Sequence, residues 1–292
     1  MLRCLQRGPQ RALRLVRAAT TAAQQPGTLC VHAGCQKDAG GSLTTPVYSS
    51  VATVWPNPKE QHIYPRYNKG PNCEVVAARI AALEGGERGA VFASGMAAIS
   101  STLFTLLKAG DHVVMSEVYG ATFELGKNDF PLRNIETDFV LDRKVESFAA
   151  ALRPETRLLY LETPSNPLIS VLDIEAICTL ARQKCGPQLV IVTDNTFSTP
   201  VNTNPLRLGV DIVIHSATKF LNGHSDLQAG AIVGREEHVE TIRQNTIMYA
   251  RPRGHLRPLT AAPSLAGERR RPHLAGTAAG STRWRRTSWS EG

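Results

Sequence analysis

Apolar positions between Cys73 and Thr246 fall into two kinds of run that alternate along the chain. Short, nearly continuous apolar runs end in polar residues: Gly89–Ser94 (GAVFAS), Asp111–Met115 (DHVVM), Arg157–Glu162 (RLLYLE), Leu189–Asp194 (LVIVTD), Asp211–His215 (DIVIH) and Gly230–Val233. Such runs predict strands buried on both faces. Between them, apolar residues recur three and four apart in CEVVAARIAALEG, which stops at Gly85, and in Gly95–Lys108, Ala121–Asn128, Ile174–Lys184 and Glu236–Thr246. These predict helices. Strands alternating with helices imply an α/β fold, a mainly parallel sheet with helices on both faces. In such sheets ligands collect at the carboxyl ends of the strands, and three of the predicted strands end there in Ser94, Asp194 and Ser216.

The flanks read differently. Residues 27–72 are rich in Gly, Pro, Thr and Asn with little periodicity, which predicts an extended arm rather than a core element. Residues 1–26 hold five arginines and no acid, spaced among Leu and Val, so the segment reads as a mitochondrial or plastid transit peptide. The alternative is a disordered tail on a cytoplasmic protein. Beyond Ile247 the chain turns Arg-, Pro- and Gly-rich without an apolar face, as a disordered segment or a translation of the wrong reading frame would. The expected division is therefore 1–26, an arm at 27–72, a folded domain at 73–247 and a tail at 248–292.

Net charge changes the picture only by its location. The chain carries +8, but residues 251–292 hold nine arginines against two glutamates, and the two basic ends leave −4 for residues 27–250. A mildly acidic body with basic ends predicts no nucleic-acid partner. No apolar run approaches the ~18 residues of a membrane span, so a soluble protein without a membrane partner is expected. Six cysteines lack C-x-x-C pairing, and Cys30, His32 and Cys35 have no second ligand pair, so no metal is expected.

The densest candidate chemistry lies in Asp211–Asp226, DIVIHSATKFLNGHSD. A strand that ends in Ser216, Thr218 and Lys219 could deliver an amine into a desolvated pocket, which lowers its pKa and makes it nucleophilic. A lysine at a strand end is more commonly a solvated terminus, so the case rests on its companions. Covalent capture of pyridoxal phosphate (PLP) by a lysine also needs a carboxylate for the ring nitrogen and donors for the phosphate. Asp194 suits the first need, although turn or cap aspartates are common. The turn Ser94-Gly95-Met96 opens a helix whose N–H groups suit a phosphate, although plain capping is common too. Tyr119 is placed to stack on the ring or simply to pack.

These residues, in this order, resemble the Cys/Met-metabolism family of PLP-dependent enzymes of fold type I. The resemblance covers roughly residues 28–246 and rests on SATKFLNGHSD, YLETPSNP, VTDNTF, ASGMAAI and EVYGATF. It implies a PLP-binding large domain preceded by an extended arm. It also implies cofactor anchoring and proton transfer by Lys219, a ring-nitrogen partner in Asp194, and a stacking Tyr119 that also serves as an acid or base. Phosphate contacts would come from Gly95, Met96, Ser216 and Thr218, with Asn166 near the phenolic oxygen and Glu162 close by. Tyr64 and Arg66 match the family's Tyr-x-Arg, which reaches a neighbouring subunit's phosphate and implies a homodimer or homotetramer. The implied reaction is β/γ-elimination or γ-replacement at the C–S bond of cystathionine-, homocysteine- or cysteine-type amino acids. A cystathionine γ-lyase- or γ-synthase-like activity is expected, with β-lyase or acylhomoserine sulfhydrylase chemistry as the alternative. Tyr67-Asn-Lys-Gly-Pro71-Asn departs from the family's usual Gly-Asn-Pro-Thr. Ala121 stands where methionine γ-lyases commonly carry cysteine, which weighs against that member. No counterpart of the family's C-terminal domain, with its substrate-carboxylate arginine, is recognisable, so a non-catalytic PLP-binding relative is the further alternative. An aminotransferase or decarboxylase on the same fold is also compatible with these motifs. Ser216-x-x-Lys219 also fits the S-x-x-K of β-lactamases, but the chain has no K-T-G, and its nearest approach to S-D-N is Thr193-Asp-Asn195.

Overall fold

The computed structural model describes residues 25–35, 40–50 and 70–248. Residues 1–24 of the expected transit segment 1–26, Tyr64 and Arg66, and residues 249–292 of the expected tail lie outside the described residues. Among the described residues seven strands form one sheet: β1 Arg88–Phe92, β2 His112–Met115, β3 Glu136–Phe139, β4 Thr156–Glu162, β5 Val190–Asp194, β6 Ile212–His215 and β7 Gly230–Gly234. Their order is β1-β7-β6-β5-β4-β2-β3. The neighbours from β6 through β3 pair in parallel, whereas β7 runs antiparallel to both β1 and β6. Strands β1, β2, β4, β5 and β6 therefore send their carboxyl ends to one edge, and β7 begins there.

The helices cover both faces. They are α1 Pro26–His32, α2 Pro71–Glu84, α3 Gly95–Leu106, α4 Gly120–Glu124, α5 Val145–Ala151, α6 Ile174–Cys185, α7 Thr199–Asn202 and α8 Glu236–Met248. On the front face Ala98, Ile99 and Leu103 of α3 and Val239 and Ile242 of α8 pack against Leu158, Tyr160, Val190, Val192, Ile212, Ile214 and Ile232. On the back face Phe148 of α5 and Ile177, Cys178 and Ala181 of α6 pack against Leu159, Leu161, Ile191 and Val213. Ile80 and Ala81 of α2 meet Ala231 and Val233. Consecutive strand residues point to opposite faces, so two covered faces require the unbroken apolar runs seen in the sequence.

The ends of the helices follow local chemistry. Pro71 stands in the first turn of α2, and Gly85 ends it in the left-handed conformation, φ 74°. Asp173 caps α6 by accepting from the Ala176 N–H at 3.0 Å.

Four features depart from the sequence expectation. Strand β3 was not legible, because ETDF lies half-exposed at the sheet edge and among the described residues pairs only with β2. Its Glu136 and Asp138 are held by Arg153 at 2.8 and 3.0 Å, and charges of this kind suit an edge strand. Helix α5 has a single fully buried anchor, Phe148, too little for a period to show. Helix α4 gives way after Glu124 to a π-helical turn, Leu125–Asp129. The start of the expected extended arm is helical at Pro26–His32, where Leu29 is buried and Arg79 donates to the Val31 and Ala33 carbonyls, both at 3.1 Å. Asn72 ties residues 40–50 through bonds to Pro46 and Tyr48, each 2.9 Å.

Candidate cofactor site

A cleft of about 220 Å³ opens at the carboxyl edge of the sheet. Ser94, Gly95 and Met96 line it from the β1–α3 turn, Tyr119 from the end of β2, and Glu162 and Asn166 from the end of β4. Asp194 comes from β5, and Ser216, Thr218 and Lys219 from the turn after β6. Every candidate site residue among the described residues therefore lies on one cavity, although the chain separates Ser94 from Lys219 by more than a hundred positions. Thr196, Phe197 and Gln228 line it as well. The first two sit inside the VTDNTF motif, where a polar residue next to a buried strand was the available signal for Thr196; nothing in the sequence marked Gln228.

The turn into α3 is an anion cradle. Ser94 is extended (φ −160°) and its Oγ accepts from the Ala97 N–H at 3.0 Å. The N–H groups of Gly95 and Met96, first in the helix, have no acceptor within it, and the helix dipole favours negative charge there. Close approach requires the glycines. A Cβ on Gly95 would lie 2.7 Å from the Ser216 Cβ, and one on Gly230 would lie 2.1 Å from the Ser94 carbonyl oxygen. Glycine at these two positions lets β6 and β7 pass against the turn, so the Ser216 hydroxyl shares the space before the α3 N-terminus.

Ser216 and Thr218 are not equivalent. The Thr218 hydroxyl donates to the Ala229 carbonyl (3.1 Å) and accepts from the Ala229 N–H (2.9 Å), so its proton is committed to the backbone. Ser216 Oγ makes no hydrogen bond among the described residues; its backbone N–H donates to Thr196 Oγ1 at 2.7 Å.

Lys219 differs from expectation. It is exposed rather than delivered into a desolvated pocket. The strand stops at His215, and the Lys219 N–H donates to the Ser216 carbonyl (3.1 Å), a turn that carries the side chain to the rim. Next to it Phe220 meets Phe197 edge-on, with ring centroids 5.8 Å apart, which steadies the turn.

Two carboxyls share the cleft floor. Glu162 and Asp194 are direct register partners on β4 and β5. Like charges directly opposite on one sheet face repel, and both groups are buried. Burial first, then the nearby Asp194, pushes the Glu162 carboxyl up to about 8. Burial also raises Asp194, opposed by hydrogen bonds from Thr196, whose N–H reaches Asp194 Oδ1 at 2.9 Å. The Tyr160 phenol lies beneath them, fully buried, and burial followed by the two carboxyls holds it well above its ordinary range. Glu162 has a structural task too: Oε2 accepts from the Tyr119 N–H (2.7 Å) and Oε1 from the Asn166 N–H (2.9 Å). One carboxyl thus fixes two loops of the cleft wall. Tyr119 itself stands 45% exposed at the mouth.

The residues present fit a phosphate-bearing cofactor with a basic ring nitrogen. Asp194 is 6% exposed and has no cationic side chain within salt-bridge distance among the described residues. A buried carboxylate in that position is stabilised by a protonated ring nitrogen. The glycine-shaped cradle accepts a phosphate, and a primary amine stands at the rim.

Residues 27–268 match the family model described as Cys/Met metabolism PLP-dependent enzyme. The chain is 42% identical over 228 residues to an L-methionine γ-lyase of Fusobacterium nucleatum subsp. nucleatum, covering 74% of this chain and 57% of that protein. It is 44% identical over 170 residues to the cystathionine β-lyase MetC of Staphylococcus haemolyticus, covering 58% and 42%. The crystal structure of cystathionine γ-lyase from Lactobacillus plantarum complexed with L-serine superposes with a TM-score of 0.71 at 37% identity, over 77% of this chain and 59% of that one. The chain spans about half the length of the relatives it matches.

Proposed function

Because this chain belongs to the Cys/Met-metabolism family of PLP-dependent enzymes, we propose that residues 70–248 form the cofactor-binding part of an enzyme acting at the C–S bond of a sulfur amino acid. The observation that carries the reading is the convergence of three strand ends on one cleft: an anion cradle at Ser94–Met96, a buried carboxyl at Asp194 and an amine at Lys219. PLP, when bound, supplies an electron sink that stabilises negative charge at the substrate α-carbon. Lys219 Nζ holds the cofactor and then takes and returns substrate protons. Asp194 holds the ring nitrogen's proton. The Gly95 and Met96 N–H groups and Ser216 Oγ bind the phosphate, while Thr218 braces the turn through Ala229. Tyr119 would cover the cofactor ring from the mouth, and Asn166 would lie near the cofactor's phenolic oxygen. Glu162 sets the position of both.

The finer reading is elimination or replacement on cystathionine-type substrates. Ala121, set in α4 directly after Tyr119 and Gly120, favours this over methionine γ-elimination, even though a methionine γ-lyase is among the relatives. A homodimer or homotetramer, with Tyr64 and Arg66 reaching a neighbouring subunit, belongs to the proposal, as does organellar import directed by residues 1–26.

The test is to incubate the purified chain with PLP, reduce with borohydride and map the adduct by mass spectrometry. The adduct is expected on the Lys219 peptide and absent in Lys219→Ala; a wild-type chain that takes up no cofactor refutes the reading. Keto-acid and sulfide release from cystathionine, homocysteine, cysteine and methionine then ranks the substrates. A second reading, cofactor binding without turnover, draws on one observation: among the described residues no arginine lines the cleft to hold a substrate carboxylate. An adduct on Lys219 without product from any of the four substrates identifies that case.

A further inference from the structure

Behind the cleft, on the opposite face of the sheet, lies a buried polar cluster that the proposed chemistry does not use. Glu84, His215 and Asn195 are each 0% exposed. Glu84 Oε1 accepts from Asn195 Nδ2 at 2.8 Å and lies 2.6 Å from His215 Nε2. One oxygen therefore serves both neighbours. Asn204 adds a longer contact to Oε2 at 3.5 Å.

For stability alone this cluster is poorly built. Glu84 is the last residue of α2, where the helix dipole disfavours a negative charge. His215 Nδ1 and Asn195 Oδ1 are buried without a hydrogen-bond partner among the described residues. A half-satisfied buried network is commonly no better than an apolar core of the same volume. Its placement suggests another role. Asn195 directly follows Asp194, and His215 directly precedes Ser216. The backbones meet too, with Asn195 N–H donating to the Ile214 carbonyl at 2.9 Å. Alternation along a strand sends Asn195 and His215 backward and their neighbours toward the cleft. Glu84 therefore grips the ends of β5 and β6 from behind, at the two residues adjoining the ring-nitrogen carboxyl and the phosphate hydroxyl.

We infer that Glu84, His215 and Asn195 form a positioning clamp that sets the spacing between Asp194 and the Ser216–Lys219 turn, and so tunes cofactor binding from the far side of the sheet. The inference rests on the PLP reading above. None of the three residues lines the cleft, so each acts through its chain neighbour.

The experiment compares the full chain with Glu84→Leu/His215→Leu and with Glu84→Gln. Three quantities are measured: apoprotein melting temperature, PLP dissociation constant, and the circular dichroism that the bound cofactor shows in the visible. The double leucine variant is expected to melt no lower than wild type while binding PLP at least about tenfold more weakly, with reduced visible dichroism. Glu84→Gln keeps an acceptor for both partners and should restore affinity to within about threefold of wild type. Wild-type affinity and dichroism in the double leucine variant overturn the inference, whatever happens to its melting temperature. So does a loss of affinity in Glu84→Gln as large as in the double variant. If the double variant does not fold, Asn195→Ala decides: weakening of about threefold supports the clamp and unchanged affinity overturns it. A wild-type chain that binds no PLP removes the functional reading and this inference with it; a wild-type chain that binds while the variants match it removes the clamp alone.

Discussion

Asp194→Asn should make the cofactor-free chain more stable and the cofactor bind less well. Asp194 is 6% exposed at the end of β5, faces Glu162 across the register, and has no cationic side chain within salt-bridge distance among the described residues. Burial raises its pKa above the ordinary aspartate value. The folded state therefore holds more protons than the unfolded state between the two pKa values, and stability falls as pH rises through that window. Asparagine keeps an oxygen for the Thr196 N–H, 2.9 Å away in wild type, and never ionises. Relief of an uncompensated buried charge should be worth about 1–3 kcal/mol at pH 8, or roughly 2–10 °C in melting temperature for a body of this size. The gain should vanish below about pH 4, where the wild-type carboxyl is neutral in both states. With PLP present the sign reverses, since a charged hydrogen bond worth about 1.5–3 kcal/mol is lost, or roughly ten- to a hundredfold in affinity. Thermal melts of the apoprotein from pH 4 to 8, with PLP titrations followed by absorbance, read both effects. An apoprotein variant that melts lower than wild type at pH 8, or binds PLP equally well, refutes the reasoning.

Three further outcomes follow from the same geometry. Glu162, pushed up to about 8 from an ordinary 4.5 by burial and by Asp194, holds a proton in the fold that the unfolded chain has lost; urea unfolding should show stability falling from about pH 5 to pH 8, and Glu162→Gln should flatten that fall. Gly95→Ala places a Cβ 2.7 Å from the Ser216 Cβ, so stability should drop by about 1–3 kcal/mol, and PLP affinity should fall with it as the cradle opens. Arg182→Leu removes the guanidinium that bridges Asp211 and the Leu189 carbonyl on the far side of the fold; unfolding should cost about 1–3 kcal/mol less, with the PLP dissociation constant unchanged.

Much of this protein could be read without coordinates. The alternation of buried runs with amphipathic stretches determined an α/β sheet covered on both faces, because only strands buried on both sides tolerate LVIVTD or DIVIH. The polar residues that stop those runs marked the cleft, since strand ends in a parallel sheet share one edge. What escaped the sequence was weakly patterned or relational. Strand β3 hid in ETDF because an edge strand has a solvated side and no apolar rhythm. The reversal of β7 left no trace, since GAIVG reads alike in either direction. Lys219 looked like a buried amine, yet a turn one residue past the strand lifts it to the rim. That Thr218 spends its hydroxyl on Ala229 while Ser216 keeps its own free depends on where β7 begins. Glu162 and Asp194 are thirty-two positions apart, and only the register of β4 on β5 makes them opposing charges with displaced pKa values. Glu84 could be read as nothing more than a helix end until the fold set it behind Asn195 and His215. Hydrophobic period is a property of neighbours along the chain, so the sequence determines which segments become strands and helices. Register, strand direction and the partner across a sheet are properties of neighbours in space, and those the tertiary structure decided.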